Sequence, residues 1–111
     1  MPTFVKSEVR MDDTAAAQAF AAIGSTSRIQ VLVIIIEAGE TGLTIGQIQK
    51  KTNIAASTLA HHLRFLSDVN LIIQEKQGRK VVNRTDKRII GALSTFLKNI
   101  LEINKEGNDV L

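Results

Sequence analysis

The stretch from Thr44 to Leu66, TIGQIQKKTNIAASTLAHHLRFL, predicts a helix-turn-helix. Thr44 and Gln47 form a capping-box pattern, in which each side chain binds the other residue's backbone amide at the start of a helix. Asn53 follows this short helix and is one of the few non-glycine residues that tolerate the left-handed backbone of a sharp turn. A second helix is then expected from about Ala56 to Val69.

The second helix has an apolar face and a polar face. Leu59, Leu63 and Leu66 recur at a spacing that buries them on one side, while Ile45 and Ile48 of the first helix are expected to point inward. The other side and its flanks carry small, polar and basic side chains, as a helix must to read base edges in a DNA major groove. The predicted DNA contacts on this helix are Ser57, Thr58, His61, Arg64 and His62, the last also helping to seat the helix.

A basic β-hairpin is predicted directly after this helix. Leu71 to Glu75 and Lys80 to Arg84 resemble two strands around a tight turn, in which Gly78 supplies a positive φ angle. A charged hairpin tip is often only solvated surface, but its position after a helix of this kind favours a wing that binds phosphates or the minor groove. The predicted DNA contacts of the wing are Lys76, Arg79 and Lys80.

Three further helices complete the predicted fold, which is mainly α with a small β-hairpin: a winged helix-turn-helix. An alanine-rich helix is expected over Thr14 to Ile23, and another over Ser27 to Ala38, before a turn at Glu40 to Leu43. The β-branched centre of the second of these would also suit a buried strand, but the serine cap before it and the glycine after it favour a helix. The last helix is expected to run from Thr85 or Asp86 to about Asn104.

The last helix carries two apolar stripes, although one is enough to dock it on its own domain. Ile89, Leu93, Phe96, Ile100 and Ile103 form the first stripe, and Ile90, Leu97 and Leu101 form the second. The extra apolar surface predicts a homodimer. The predicted dimer contacts, including one on the first helix, are Phe20, Ile89, Leu93, Phe96, Leu97 and Ile100.

The chain's length and composition fit one globular domain, since 44% of its 111 residues are hydrophobic and 23% are charged. We expect a flexible arm at residues 1–11, the folded domain at 12–104 and a frayed tail at 105–111. The longest apolar run, Val31 to Ile36, is too short to cross a bilayer, and the N-terminus has no apolar leader. A cytoplasmic protein without a membrane partner is therefore expected, and the net charge of +3 favours an anionic partner.

Neither an enzyme nor a resident metal or other cofactor is expected. The chain has no cysteine, which excludes disulfides and thiolate metal sites. Its two histidines, His61 and His62, would point about 100° apart on a helix, whereas a helical metal pair needs a spacing of four residues. No glycine-rich phosphate loop or activated serine is present. The sequence does not identify an inducer ligand.

The order of these elements resembles the ArsR/SmtB-type bacterial winged-helix repressors. Residues 22–32, AIGSTSRIQVL, are similar to the family's "ALGDPTRLRIL", and residues 57–66, STLAHHLRFL, are similar to its recognition-helix pattern "STVSHHLRVL". The wing, with Gly78 and Arg79, extends the similarity, which spans about residues 14–104. The resemblance implies a dimeric DNA-binding repressor whose first and last helices form the interface.

Departures from the family pattern identify a member that does not sense metals. Thr44 and Gly46 occupy the positions of the family's metal-binding cysteine pair, and the last helix has no histidine for the family's second metal site. Ala55 stands where relatives often carry a capping serine. The recognition helix therefore loses about 1 kcal/mol of stability or begins later, with Ser57 as its cap.

These observations predict a sequence-specific regulator that binds double-stranded DNA, as a dimeric repressor on a palindromic operator. The alternative is a winged-helix protein-interaction module without DNA binding. Its surface would be richer in aromatic residues, whereas here Arg64 and the basic wing are expected on one face. An RNA-binding variant is also disfavoured, because single-stranded RNA is recognised by stacking aromatics and the chain has four Phe but no Trp or Tyr.

Overall fold

A computed structural model describes residues 10–107. The elements in chain order are α1 (Asp13–Ile23), α2 (Thr26–Ala38), a 3-10 turn (Gly39–Thr41), β1 (Leu43–Thr44), α3 (Ile45–Thr52), α4 (Ala56–Asp68), β2 (Ile72–Gln77), β3 (Lys80–Thr85) and α5 (Lys87–Gly107). The predicted winged helix-turn-helix is confirmed. Residues 1–9 of the predicted arm and 108–111 of the predicted tail lie outside the described residues, while residues 105–107 continue α5.

Local signals placed the ends of α1 to α4 to within about one residue, whereas α5 runs beyond its predicted end at about Asn104 to Gly107. The α2 segment is helical and not a strand, and the Ser25 hydroxyl accepts from the backbone amide of Arg28 at its start (3.3 Å). The capping box at α3 is present in both directions, with distances of 2.8 Å and 3.2 Å between Thr44 and Gln47. Asn53 ends α3 in the left-handed conformation, with φ at 60°. The caps fix where α2 and α3 begin, and Asn53 reverses the chain between the two helices of the helix-turn-helix.

The sheet has a third strand, so the turn predicted at Glu40 to Leu43 was partly wrong. Leu43 begins β1, which pairs antiparallel with β3, and the strand order is β1-β3-β2. Gly42 makes this close approach possible: a Cβ there would lie 2.6 Å from Val82 Cγ1 and 2.7 Å from the Asn83 carbonyl oxygen. A strand of two residues is too short to show an alternating pattern in the sequence.

The core lies where α2, α3 and α4 meet the base of the hairpin. Leu59, Leu63 and Leu66 are buried as predicted, and Ile48 is buried beside them. The prediction for Ile45 was wrong, because its side chain is 36% exposed. Ile45 is the first residue of α3 and lies at the edge of a surface groove, where no neighbouring element covers it.

Helix α2 is buried on one side only. Val31, Leu32 and Ile35 belong to the core, whereas other apolar residues of the same helix face outward. Within residues 10–107 no single helix is long and apolar enough to cross a membrane. Only Asp13–Ile23 and Thr26–Thr41 taken together reach that length and composition, and they are bent by 100°.

Candidate nucleic-acid interface

The polar face of α4 is open to solvent. Ser57, Thr58, His61 and Arg64 are exposed, while His62 is half-buried on the flank. The helix begins at Ala56 with Ala55 at the N-cap position, and no side chain caps it. Of the two outcomes predicted from Ala55, the uncapped helix is confirmed, and Ser57 lies inside the first turn.

The wing presents its basic residues at the tip of a two-stranded hairpin. Gln77 pairs with Lys80 across a two-residue turn, in which Gly78 has the predicted positive φ of 67°. Lys76, Arg79 and Lys80 are all exposed. The tip is therefore a concentrated positive surface.

Nearer the base of the wing, the basic residue Arg84 is paired within the protein. Arg84 Nε donates to Glu75 Oε1 at 3.0 Å. The hydrogen bond and charge of Arg84 lower the pKa of the Glu75 carboxyl below its ordinary value. This pair braces β2 against β3 and reduces the charge that Arg84 offers to an outside anion.

A groove of about 770 Å³ separates α4 from the wing. The structure brings together Arg64 of α4 with Arg79 and Lys80 of the wing along this groove, and no carboxylate lines it. Ser57, Thr58, His61 and Lys76 lie outside the groove lining. Within the described part of the chain no three His, Asp or Glu side chains lie close enough together to hold a metal ion.

The groove is also lined by residues that were not predicted from the sequence to contact DNA. Thr44 and Gln47 line the groove beside their capping box, and Ala60 and Val81 add apolar surface. Val81 pairs with Lys76 across the hairpin, which places both side chains on one face of the sheet. The sequence shows only that Val81 is an apolar residue on a short strand. Strand register cannot be read from the sequence alone, so the face on which Val81 lies could not be predicted.

A second cluster supports α4 from the side of α2. The Arg28 guanidinium carbon lies 4.5 Å from the centre of the Phe65 ring, and Phe65 meets the His61 ring edge to face at 4.9 Å. Arg28 Nε and Nη2 also donate to the Ala22 and Ala21 carbonyl oxygens at the end of α1. This cluster links the end of α1 to the exposed His61, and no periodic pattern in the sequence predicts it.

His62 has a lowered pKa. Its Nδ1 atom is buried and has no hydrogen-bond partner among the described residues. Burial, followed by the positive charges of Arg28 and His61, lowers the pKa of His62 below its ordinary value of 6.5. The neutral imidazole is therefore the form that fits the folded protein at neutral pH.

Acidification is expected to lower the stability of the fold through His62. In the unfolded chain His62 takes up a proton near pH 6.5, whereas the folded state resists protonation until a lower pH, so the free energy of unfolding falls as pH drops through this window. Melting temperatures from pH 7.5 to pH 5 should decline less in His62→Gln than in the native protein. His61→Gln removes an exposed imidazole and should keep most of the decline. An identical decline in His62→Gln and the native protein would contradict this assignment.

Helix α5 leaves part of its apolar surface uncovered. Leu93 is buried in the core, and Ile89 and Phe96 are partly buried against it. Leu97, Ile100 and Leu101 are 49%, 50% and 68% exposed, and we call these three residues the α5 apolar face. Phe20 of α1 is also exposed, and α1 packs against α5.

Comparison with known sequences gives one family and one curated relative. A family model described as "Bacterial regulatory protein, arsR family" matches residues 25–74, from the cap of α2 into β2. The HTH-type transcriptional regulator YgaV of Escherichia coli (strain K12) is 23% identical over 71 residues, which cover 64% of this chain and 72% of YgaV. The matched region contains the whole helix-turn-helix.

Comparison with solved structures gives the same architecture. An ArsR-like transcriptional regulator from Rhodococcus sp. RHA1 has a TM-score of 0.74 at 20% identity, with 84% of each chain covered. The homodimeric winged helix-turn-helix DNA-binding domain Mb0332 from Mycobacterium bovis, a possible ArsR-family transcriptional regulator, has a TM-score of 0.64 at 16% identity, with 88% of each chain covered. At these identities the likeness establishes the fold.

Proposed function

We propose that this chain is a sequence-specific regulator that binds double-stranded DNA, since a model of the bacterial arsR family of regulatory proteins matches its residues 25–74. The observation that carries this proposal is the alignment of Arg64 with Arg79 and Lys80 along one groove that no carboxylate lines. DNA presents rows of phosphates beside each groove, so a protein surface that binds it needs cations beside the inserted helix as well as on it. Arg79 and Lys80 supply such cations on the wing side of α4.

In the proposed complex, α4 enters the major groove. Ser57, Thr58 and His61 lie in its N-terminal half, where side chains of a recognition helix meet base edges or the adjacent phosphates. Arg64 follows one turn later and has the fork of donors that binds guanine through two hydrogen bonds. The half-buried, neutral His62 seats the helix and donates to DNA only through its exposed edge.

The wing supplies contacts that do not depend on base sequence. Lys76, Arg79 and Lys80 are long, exposed cations at the end of a hairpin, and they bind phosphates beside the major groove or reach into the minor groove. These contacts set the register of the protein on the duplex, while α4 supplies the discrimination between sequences.

The proposed active form is a homodimer that joins two copies through α1 and α5. The α5 apolar face and Phe20 supply the contact, whereas Leu93, Ile89 and Phe96 hold α5 on its own domain. The homodimeric relative from Mycobacterium bovis supports this assembly. A two-fold dimer would place its two α4 helices about 34 Å apart on a palindromic operator, and binding at a promoter would repress transcription by blocking polymerase.

Arg64→Ala is expected to weaken binding to the operator by about 1–3 kcal/mol, because it removes a two-hydrogen-bond contact to a base. The operator is first recovered by selecting bound fragments of the source genome with the purified protein, and affinities are then measured by fluorescence anisotropy. Lys51→Ala is the matched control, since Lys51 is an exposed cation beside α2 and not in the groove.

Equal losses in Arg64→Ala and Lys51→Ala would mean that Arg64 acts only through its net charge. If no genomic fragment is selected by the native protein, the DNA-binding proposal fails. The alternative, a winged helix that binds another protein, would then be favoured.

A further inference from the structure

The centre of the small sheet contains a buried amide. Asn83 is 1% exposed and lies on β3, opposite Leu43 of β1 on one side and Gln74 of β2 on the other. Its Nδ2 donates to the Leu43 carbonyl oxygen at 3.1 Å, and its Oδ1 accepts from Gln74 Nε2 at 2.9 Å. One side chain therefore bonds to both neighbouring strands.

Burying an amide at this position costs desolvation free energy. A polar group without partners loses its hydration on folding, and only well-placed hydrogen bonds offset that loss. The bonds of Asn83 also determine its orientation, because the reversed amide would bring Oδ1 against the Leu43 carbonyl oxygen. An apolar residue such as valine would satisfy the core without this constraint, so the amide indicates a requirement for geometry as well as for packing.

The two partners of Asn83 belong to different parts of the DNA-binding surface. Leu43 precedes Thr44, which ends β1 and is at once the N-cap residue of α3, so β1 leads directly into the helix-turn-helix. Gln74 lies on the hairpin and lines the groove together with Arg79. The amide on β3 thus joins β1, which leads into the helix-turn-helix, to both strands of the wing.

The base of the hairpin is also held by the core, where Ile72 and Val82 are buried and the strands pack against α2 and α4. Towards β1 the pairing is short, because β1 and β3 pair over only two positions, Leu43 with Asn83 and Thr44 with Val82. A two-stranded hairpin by itself is marginally stable and twists readily. Loss of the Asn83 bonds would leave the base of the hairpin attached to the core but would let the wing tip move through a wider range of angles.

We propose that Asn83 is a positioning residue for DNA binding, which holds the wing at a fixed angle to α4 so that Arg79 and Arg64 reach the same duplex together. The contribution of Asn83 to DNA binding rests on the proposed function. Its mechanical part, which is holding the wing at a fixed angle, does not depend on DNA. The two parts are therefore tested separately.

The mechanical part is tested by distances between spin labels. The chain has no cysteine, so Gln77→Cys on the wing and Lys50→Cys on α3 give one unique labelled pair at exposed positions. Excess unlabelled chain ensures that the measured distances fall within one protomer. Native Asn83 should give a narrow distance distribution, and Asn83→Val a broader or shifted one with helix content retained. Asn83→Leu, which keeps roughly the shape of the amide but cannot donate to the Leu43 carbonyl oxygen, is a second variant and should show the same change if Asn83→Val does not fold.

Unchanged distances in the variants that fold would overturn the proposal, because the wing would then be held by other contacts. If neither variant folded, Asn83 would be a residue that the fold requires and not one that tunes the wing, which also overturns it. A broadened distribution supports it whether or not DNA is bound.

The functional part is tested by a double-mutant cycle on the operator. In the native background, Arg79→Ala should reduce the slope of log affinity against log salt by about two units, since each protomer of the dimer loses one phosphate contact. In the Asn83→Val or Asn83→Leu background, the same substitution should produce less than about half of that change. The effect of Arg64→Ala should be undiminished there, because α4 is held by the core.

A purely structural role for Asn83 would lower the melting temperature but leave the full effect of Arg79→Ala, and this result would overturn the proposal. If Arg79→Ala has no effect even in the native background, the proposed contact between wing and DNA fails. The spin-label distances then still decide the positioning role.

Discussion

Gly42→Ala is expected to lower the free energy of unfolding by about 2–6 kcal/mol and to separate β1 from β3. Gly42 has φ at 68° and ψ at −173°, a conformation that other residues adopt at a cost of about 1–3 kcal/mol. The new Cβ would also lie 2.6 Å from Val82 Cγ1 and 2.7 Å from the Asn83 carbonyl oxygen. A clash with the backbone of an adjacent strand adds about another 1–3 kcal/mol, because the strand cannot move without losing its hydrogen bonds.

Gly39→Ala is the matched control for this prediction. Gly39 has almost the same backbone, with φ at 67° and ψ at −149°, but a Cβ there would meet nothing within 4 Å. Its replacement should therefore show only the backbone term, about 1–3 kcal/mol. Denaturant unfolding of both variants measures the difference. Equal losses would mean that β3 accommodates a Cβ at position 42 without a clash.

The double variant Leu97→Asp and Ile100→Asp is expected to convert the proposed dimer into monomers. Both side chains are about half exposed in the single chain, so charges there leave the folded protomer largely intact but cannot be buried between two copies. A monomer retains one recognition helix, and the loss of the linked second contact should weaken operator binding by about 10²–10⁴-fold. Light scattering gives the mass, and fluorescence anisotropy gives the affinity.

Thr95→Asp with Asn99→Asp adds the same charge to the same helix on the side away from the α5 apolar face. Both residues are exposed, and their angular positions on the helix lie roughly opposite Leu97 and Leu101. This control should remain dimeric. Its affinity for the operator should depend on the spacing of the two half-sites in the same way as that of the native protein. If the Leu97 and Ile100 variant is also dimeric, the interface lies elsewhere on the domain.

The sequence alone determined the order of the five helices and the hairpin and most of the helix ends, but not the short strand β1. Its signals act over three or four residues, such as the reciprocal caps of Thr44 and Gln47 or the left-handed Asn53. The spacing of Leu59, Leu63 and Leu66 likewise reports one helix face, so the inner and outer sides of α4 were predicted correctly. Local rules are sufficient for such features because each contact is made within one turn of the chain.

Only the tertiary structure decided which distant groups meet. The Asn83 bond to Leu43 spans 40 positions, and the stack of Arg28 on Phe65 joins α2 to α4; neither has a periodic signature. The two apolar stripes of α5 look alike in the sequence, yet Leu93 is buried while Leu97 and Leu101 remain exposed. A periodic pattern marks residues that avoid water, but the packing of the other helices decides whether the same chain covers them or leaves them exposed.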